Sequence, residues 1–101
     1  MTNAEFATII ADTTVQLVDV RTAAEFAAGH IPTAKNIDVR GENFDKEADR
    51  QLDKSRPVAV YCRSGARSKT AARALAAKGY RVYELNKGFM NWNGQRTEPT
   101  E

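Results

Sequence analysis

Cys62 is the only cysteine of the chain, and Arg63, Ser64, Gly65, Ala66, Arg67 and Ser68 follow it without interruption. A thiol attacks as its thiolate, and the thiolate is favoured beside cations and where helix N–H groups converge. Upstream, "PVAVY" (57–61) is a short β-branched apolar run of the kind that forms a buried strand. Downstream, Ala71, Ala72, Leu75 and Ala76 make a smooth apolar stripe within a helix expected over about 67–78, with Gly79 as its C-cap. The thiol therefore falls in a strand-to-helix turn. The first four amides of a helix lack internal partners, and the macrodipole adds roughly half a positive charge there. Gly65 lets the backbone curl so that successive N–H groups form an anion-binding nest. Arg63 and Arg67 add full charges. These features predict a reactive thiolate at neutral pH, with a pKa in the range of about 3.5–7.5 rather than about 8.5. The competing reading, a buried structural cysteine, asks for none of them.

The positioning elements alternate along the chain. Thr2 and Glu5 have capping-box spacing ahead of a helix over about 3–11, and Thr22 and Glu25 repeat it ahead of a short helix ending near Ala28. "VQLVDV" (15–20) and "RVYEL" (81–85) read as strands, with a shorter one near 35–37 after Pro32. "ENFDKEADRQL" (42–52) reads as a surface helix that buries Phe44, Ala48 and Leu52, and "GFMNWNG" as a last short helix. Strands alternating with helices, and no hairpin turn between strands, predict an α/β fold: a small parallel β-sheet flanked on both faces by helices. In such a sheet ligands bind beyond the carboxyl ends of the strands. Cys62 and Asp19 should both reach that rim.

The 101 residues fit a single domain over 1–101, with a flexible tail expected at 96–101. The start of the chain has neither a basic n-region nor a long apolar h-region, and no run approaches the roughly 18 apolar residues of a membrane span. One cysteine makes no internal disulfide and one histidine little of a metal site, so the sequence points to a cytoplasmic setting, no membrane, no metal and no cofactor. The net charge of +2 hides a segregation. Lys54, Arg56, Arg63, Arg67, Lys69, Arg73, Lys78 and Arg81 fall in a stretch with no acid between Asp53 and Glu84. Either this is a solvated face, or it draws small anions toward the thiol. Nucleic acid is disfavoured, because no aromatic residues interleave with the basic ones.

"LVDVRTAAEFAAGHIPTAKNI" (17–37), "VAVYCRSGARS" (58–68) and "LNKGFMNWNG" (85–94) together resemble the rhodanese family of single-domain sulfurtransferases, in order and in spacing. The resemblance implies that Cys62 attacks the outer sulfur of a donor such as thiosulfate, releases sulfite and becomes a persulfide. An acceptor thiol or cyanide then takes the sulfur. Backbone N–H groups from Arg63 through Ser68 would stabilise the charges, so no general base is needed. Arg63 and Arg67 either bind the donor's sulfonate oxygens or orient the loop. The chain departs from the family at Thr33, where members usually carry glycine after His-Ile-Pro, and at Lys87-Gly88, where a glycine pair is frequent.

Asp19, inside an apolar run, needs a cation, and an arginine of the loop or its neighbourhood is the expected partner. Arg21 could instead hold surrounding carbonyls. Both are supporting residues. His30 in "GHIP" reads as a hydrogen-bonded turn residue, Phe89 and Trp92 as core, Glu25 as a helix cap. Ser64 and Ser68 are candidate hydroxyl donors. Two other functions compete. A cysteine phosphatase or arsenate reductase needs an arginine six residues after the cysteine, but Arg67 is five after Cys62 and Ser68 takes the sixth position. A persulfide carrier would pass sulfur to a protein partner.

Overall fold

Thr2 and Thr22 start helices in the same way. Each side chain accepts a hydrogen bond from the amide three residues on, and each backbone N–H is taken by the carboxylate there, Glu5 and Glu25. The capping boxes therefore form as the spacing predicts. The computed structural model describes residues 1–97. Its elements run α1 (Asn3–Ile10), β1 (Gln16–Asp19), α2 (Ala23–Ala27), β2 (Lys35–Asn36), α3 (Phe44–Gln51), β3 (Val58–Tyr61), α4 (Ala66–Ala77) and β4 (Val82–Glu84). The helix expected in "GFMNWNG" is a single 3-10 turn, Phe89–Asn91.

The four strands form one parallel sheet in the order β2-β1-β3-β4. Side chains alternate across it. On one face Val18, Val58, Val60 and Cys62 join Phe44 and Ala48 of α3 and Ala71 and Leu75 of α4. On the other, Leu17, Ala59 and Tyr61 pack with Phe6 of α1, Phe89 and Trp92. Helices thus cover both faces, as the alternation of elements predicts. Each fully buried aliphatic side chain in these clusters contributes roughly 1.5–3 kcal/mol. Phe89 and Trp92 are core residues, and the His30 ring is hydrogen-bonded through Nδ1 to the Phe26 carbonyl.

The register places Asp19 beside Tyr61 and Glu84 beside Val60. The ends of β1, β3 and β4 therefore lie level, and Cys62 follows at the same rim. Of the expected tail at 96–101, Arg96 donates to the carbonyls of Phe89 and Trp92, and Thr97 pairs with His30. Residues 98–101 lie outside the described residues.

Candidate active site

At Gly65 the chain turns from β3 into α4 with φ +108°. A Cβ there would stand 2.1 Å from the Asn86 carbonyl oxygen, so glycine is required by conformation and by space. The turn brings the Gly65 amide 3.0 Å from Cys62 Sγ, and Ser68 Oγ lies 3.5 Å from the same sulfur. A second strand of contact holds the loop from outside: Phe89 N–H donates to the Cys62 carbonyl at 2.8 Å and Met90 N–H to the Arg63 carbonyl at 3.0 Å. Gly88 permits this approach, since a Cβ on it would meet the Arg63 oxygen at 2.4 Å. Lys87 has no positive φ. Gly88 is thus the glycine this loop requires, and a lysine at position 87 leaves the turn intact.

Cys62 is 1% exposed. Burial alone pushes its pKa up, but hydrogen bonding with the Ser68 hydroxyl and from the backbone amides of Ser68, Gly65 and Ser64 outweighs it, and the thiol lies below its ordinary value. The sulfur is thus lined by amides and a hydroxyl as well as by hydrocarbon.

The two loop arginines part company. Arg67 makes a two-pronged pair with Glu25, Nη1 to Oε1 at 2.7 Å and Nη2 to Oε2 at 2.9 Å. Glu25 is therefore more than the cap of α2: it ties α2 to the first turn of α4. The Arg67 bonds, with those from Thr22, outweigh partial burial and hold its carboxyl at about 2. Arg63 is exposed and forms no ion pair among the described residues. Ser64 and Ala66 are exposed beside it, whereas Gly65 and Ser68 are buried.

Asp19 reaches the same rim but lies on the opposite face of the sheet. Its partner is Arg21, not a loop arginine: Nη2 to Oδ2 is 2.6 Å and Nε bonds both oxygens at 3.0 Å. Arg21 also donates to the Gly29 carbonyl at 2.7 Å and lies 4.4 Å from the Phe89 ring centroid. It thus both pairs with the acid and holds a carbonyl, and the pair has no hydrogen bond to the Cys62 sulfur, reaching the loop only through the Phe89 ring, whose backbone N–H bonds the Cys62 carbonyl.

One residue near the sulfur escaped the sequence reading. Glu84 Oε2 stands 2.6 Å from Ser68 Oγ and 3.7 Å from Lys69 Nζ. The available signal was its place as the first acid after the cationic stretch, on the strand beside Cys62's own. Among the described residues no cluster of three or more metal-ligating side chains occurs, and no helix is long and apolar enough to cross a membrane.

Comparison with known proteins matches residues 2–95 to a family described as the rhodanese-like domain. A protein named sulfurtransferase from Allochromatium vinosum is 42% identical over 85 residues, covering 82% of this chain and 77% of that one. The thiosulfate sulfurtransferase GlpE of Shewanella oneidensis is 39% identical over 80 residues, covering 78% and 76%. The protein YqhL of Bacillus subtilis is 37% identical over 81 residues; the match covers 79% of this chain and 62% of YqhL's length. Among solved structures, the BH2092 protein of Bacillus halodurans superposes with a TM-score of 0.82 at 30% identity, over 97% of this chain and 75% of that one.

Proposed function

This chain belongs to the rhodanese-like family, and on that premise we propose that it is a sulfurtransferase acting through a persulfide on Cys62. The observation that carries the reading is the Gly65 amide 3.0 Å from a sulfur whose pKa is lowered at the mouth of α4. Cys62 Sγ, as thiolate, attacks the outer sulfur of a donor such as thiosulfate. The S–S bond of the donor breaks, its electron pair leaves with sulfite, and a new S–S bond remains on Cys62. Cyanide or a thiolate acceptor then attacks the terminal sulfur, and the electron pair returns to Cys62. The amides of the 62–68 loop stay fixed through both steps and stabilise the anionic sulfur. Arg63 is the side chain free to meet the donor's oxygens, while Arg67 serves the loop's shape through Glu25. No step asks for a cofactor.

The loop argues against phosphatase chemistry. The sixth position, where that chemistry needs an arginine, is a buried serine, and the nearest loop arginine, Arg67 at the fifth, is paired with Glu25. A protein acceptor is a second reading with one observation behind it: Met90 is 55% exposed and its backbone is bonded to Arg63 at the loop edge.

The test is thiocyanate formation from thiosulfate and cyanide. Wild type should turn over, and Cys62→Ser should fall to the rate of the uncatalysed mixture. Full activity in Cys62→Ser would remove the reading.

A further inference from the structure

The Ser68 hydroxyl has one hydrogen and three neighbours that can take it. Glu84 Oε2 lies at 2.6 Å, the Gly65 carbonyl at 3.1 Å and Cys62 Sγ at 3.5 Å. A hydrogen bond to a carboxylate is roughly twice as strong as a neutral one, and 2.6 Å is the short length expected of it. In the resting thiol every group is satisfied: the Cys62 S–H donates to Ser68 Oγ, and the Ser68 O–H donates to Glu84. An anionic sulfur reverses this. A serine lone pair facing a thiolate or persulfide anion is repelled, so the hydroxyl must swing to the sulfur and leave Glu84.

We propose that Glu84 is a positioning residue that competes with the Cys62 sulfur for the one hydrogen of Ser68, and so decides whether that hydroxyl faces the sulfur. When the thiol ionises, its proton goes to solvent, the Ser68 O–H leaves Oε2 for Sγ, and Glu84 keeps Lys69 Nζ, 3.7 Å away, as its counter-charge. Glu84 thus opposes ionisation twice, by its own charge and by holding the hydroxyl. It is the counterweight to the amides of the loop.

The charged groups around the pair are few. Lys69 of α4 also reaches the Gly65 and Asn86 carbonyls, at 3.4 and 3.5 Å, and Asn86 Oδ1 at 3.3 Å. Arg67 of α4 is paired with Glu25 of α2, and its charge is also felt by Cys62 and, less strongly, by Asp38. The Met1 amino group donates to the backbone carbonyl of Glu84 at 2.9 Å. Glu84 is therefore the carboxylate in hydrogen-bond contact with the serine that touches the sulfur.

The inference rests on Cys62 being the reacting sulfur, but its test does not depend on sulfur transfer, because alkylation titrates the thiol whatever its natural substrate. The rate of iodoacetamide alkylation is followed against pH for wild type, Glu84→Gln, Glu84→Asp, Ser68→Ala and the double variant with Glu84→Gln. Glu84→Gln should lower the midpoint by about one pH unit, a tenfold gain in thiolate fraction below it. Glu84→Asp keeps the charge but withdraws it from Ser68, and should also lower the midpoint. In the Ser68→Ala background, Glu84→Gln should shift it by less than half as much. An unchanged or raised midpoint in Glu84→Gln overturns the proposal. So does an equal shift in both backgrounds, which leaves only charge acting through space. Should Ser68→Ala not fold, Glu84→Asp carries that distinction, and a midpoint equal to wild type decides against competition for the hydroxyl.

Discussion

Two backbone positions show how single residues build the loop and where the chain carries strain. Gly65 and Gly88 are both left-handed, and both stand where a Cβ would enter a neighbouring peptide. Their demand was half legible: Gly65 in a strand-to-helix turn reads as a nest, but the Asn86 carbonyl that shuts out a side chain comes from a distant segment. Thr33 is the reverse case. It holds φ +73°, a conformation a β-branched residue adopts at a cost of about 1–2 kcal/mol. This is the position at which the family resemblance of the sequence leads one to expect glycine, and the residue that departs from it holds a positive φ. Thr33 is exposed, so its side chain can be removed without opening a cavity. Thr33→Gly should raise stability by about 1 kcal/mol, after the added freedom of glycine in the unfolded chain is subtracted. Urea denaturation midpoints at constant slope measure it, and a loss of stability would show that the turn is not strained.

At the scale of elements, the Glu25–Arg67 pair is what joins α2 to the start of α4. Capping-box spacing revealed half of the Glu25 role, because a cap is a local signal. Its second partner lies 42 positions away and only the parallel stacking of the elements brings it near. Asp19 has the arginine partner expected of it, but that partner is Arg21, two residues on, rather than an arginine of the loop. Its strand end and the end of β3 are level, but the alternation of side chains sends the acid to one face and Cys62 to the other. Glu25 titrates near 2 in the folded protein against an ordinary 4.5. A depressed carboxyl contributes stability that is fully present above about 4.5 and is lost as pH falls through 2. Glu25→Gln should therefore cost about 1–2 kcal/mol at neutral pH, a charged hydrogen-bond pair discounted for partial exposure. It should also flatten the fall in stability between pH 4.5 and 2, as read by denaturant titrations at a series of pH values. A variant as acid-sensitive as wild type would show that the pair does not anchor the helix.

Over the whole molecule, the order β2-β1-β3-β4 puts the Cys62 turn beyond the carboxyl ends of the central strands, with one core cluster on each face of the sheet. The parallel sheet with helices on both faces was legible from alternating elements alone, because strands and helices differ in period and two of the helices carry capping boxes; the strand order was not. The sites of close approach between distant segments were not, since they depend on the packed distances. The charge segregation has a consequence at this scale too. Lys54, Arg56 and Arg81 lie at the amino-terminal edge of β3 and β4, away from Cys62, and Arg67, Lys69 and Lys78 face Glu25, Glu84 and Asp49. Arg63 is therefore the exposed cation left to draw anions to the loop, and salt screens it over about 8–10 Å. The KM for thiosulfate should rise with ionic strength while turnover at saturation stays level; a KM indifferent to salt would assign the stretch to solvation alone. The central claim, that a curled backbone holds an anionic sulfur ready to accept another, is tested most directly by the intact mass of the chain after thiosulfate treatment. Wild type should gain one sulfur atom and lose it on adding cyanide, and Cys62→Ala should gain none. An unchanged mass in folded, reduced wild type, or the same gain in Cys62→Ala, would contradict it.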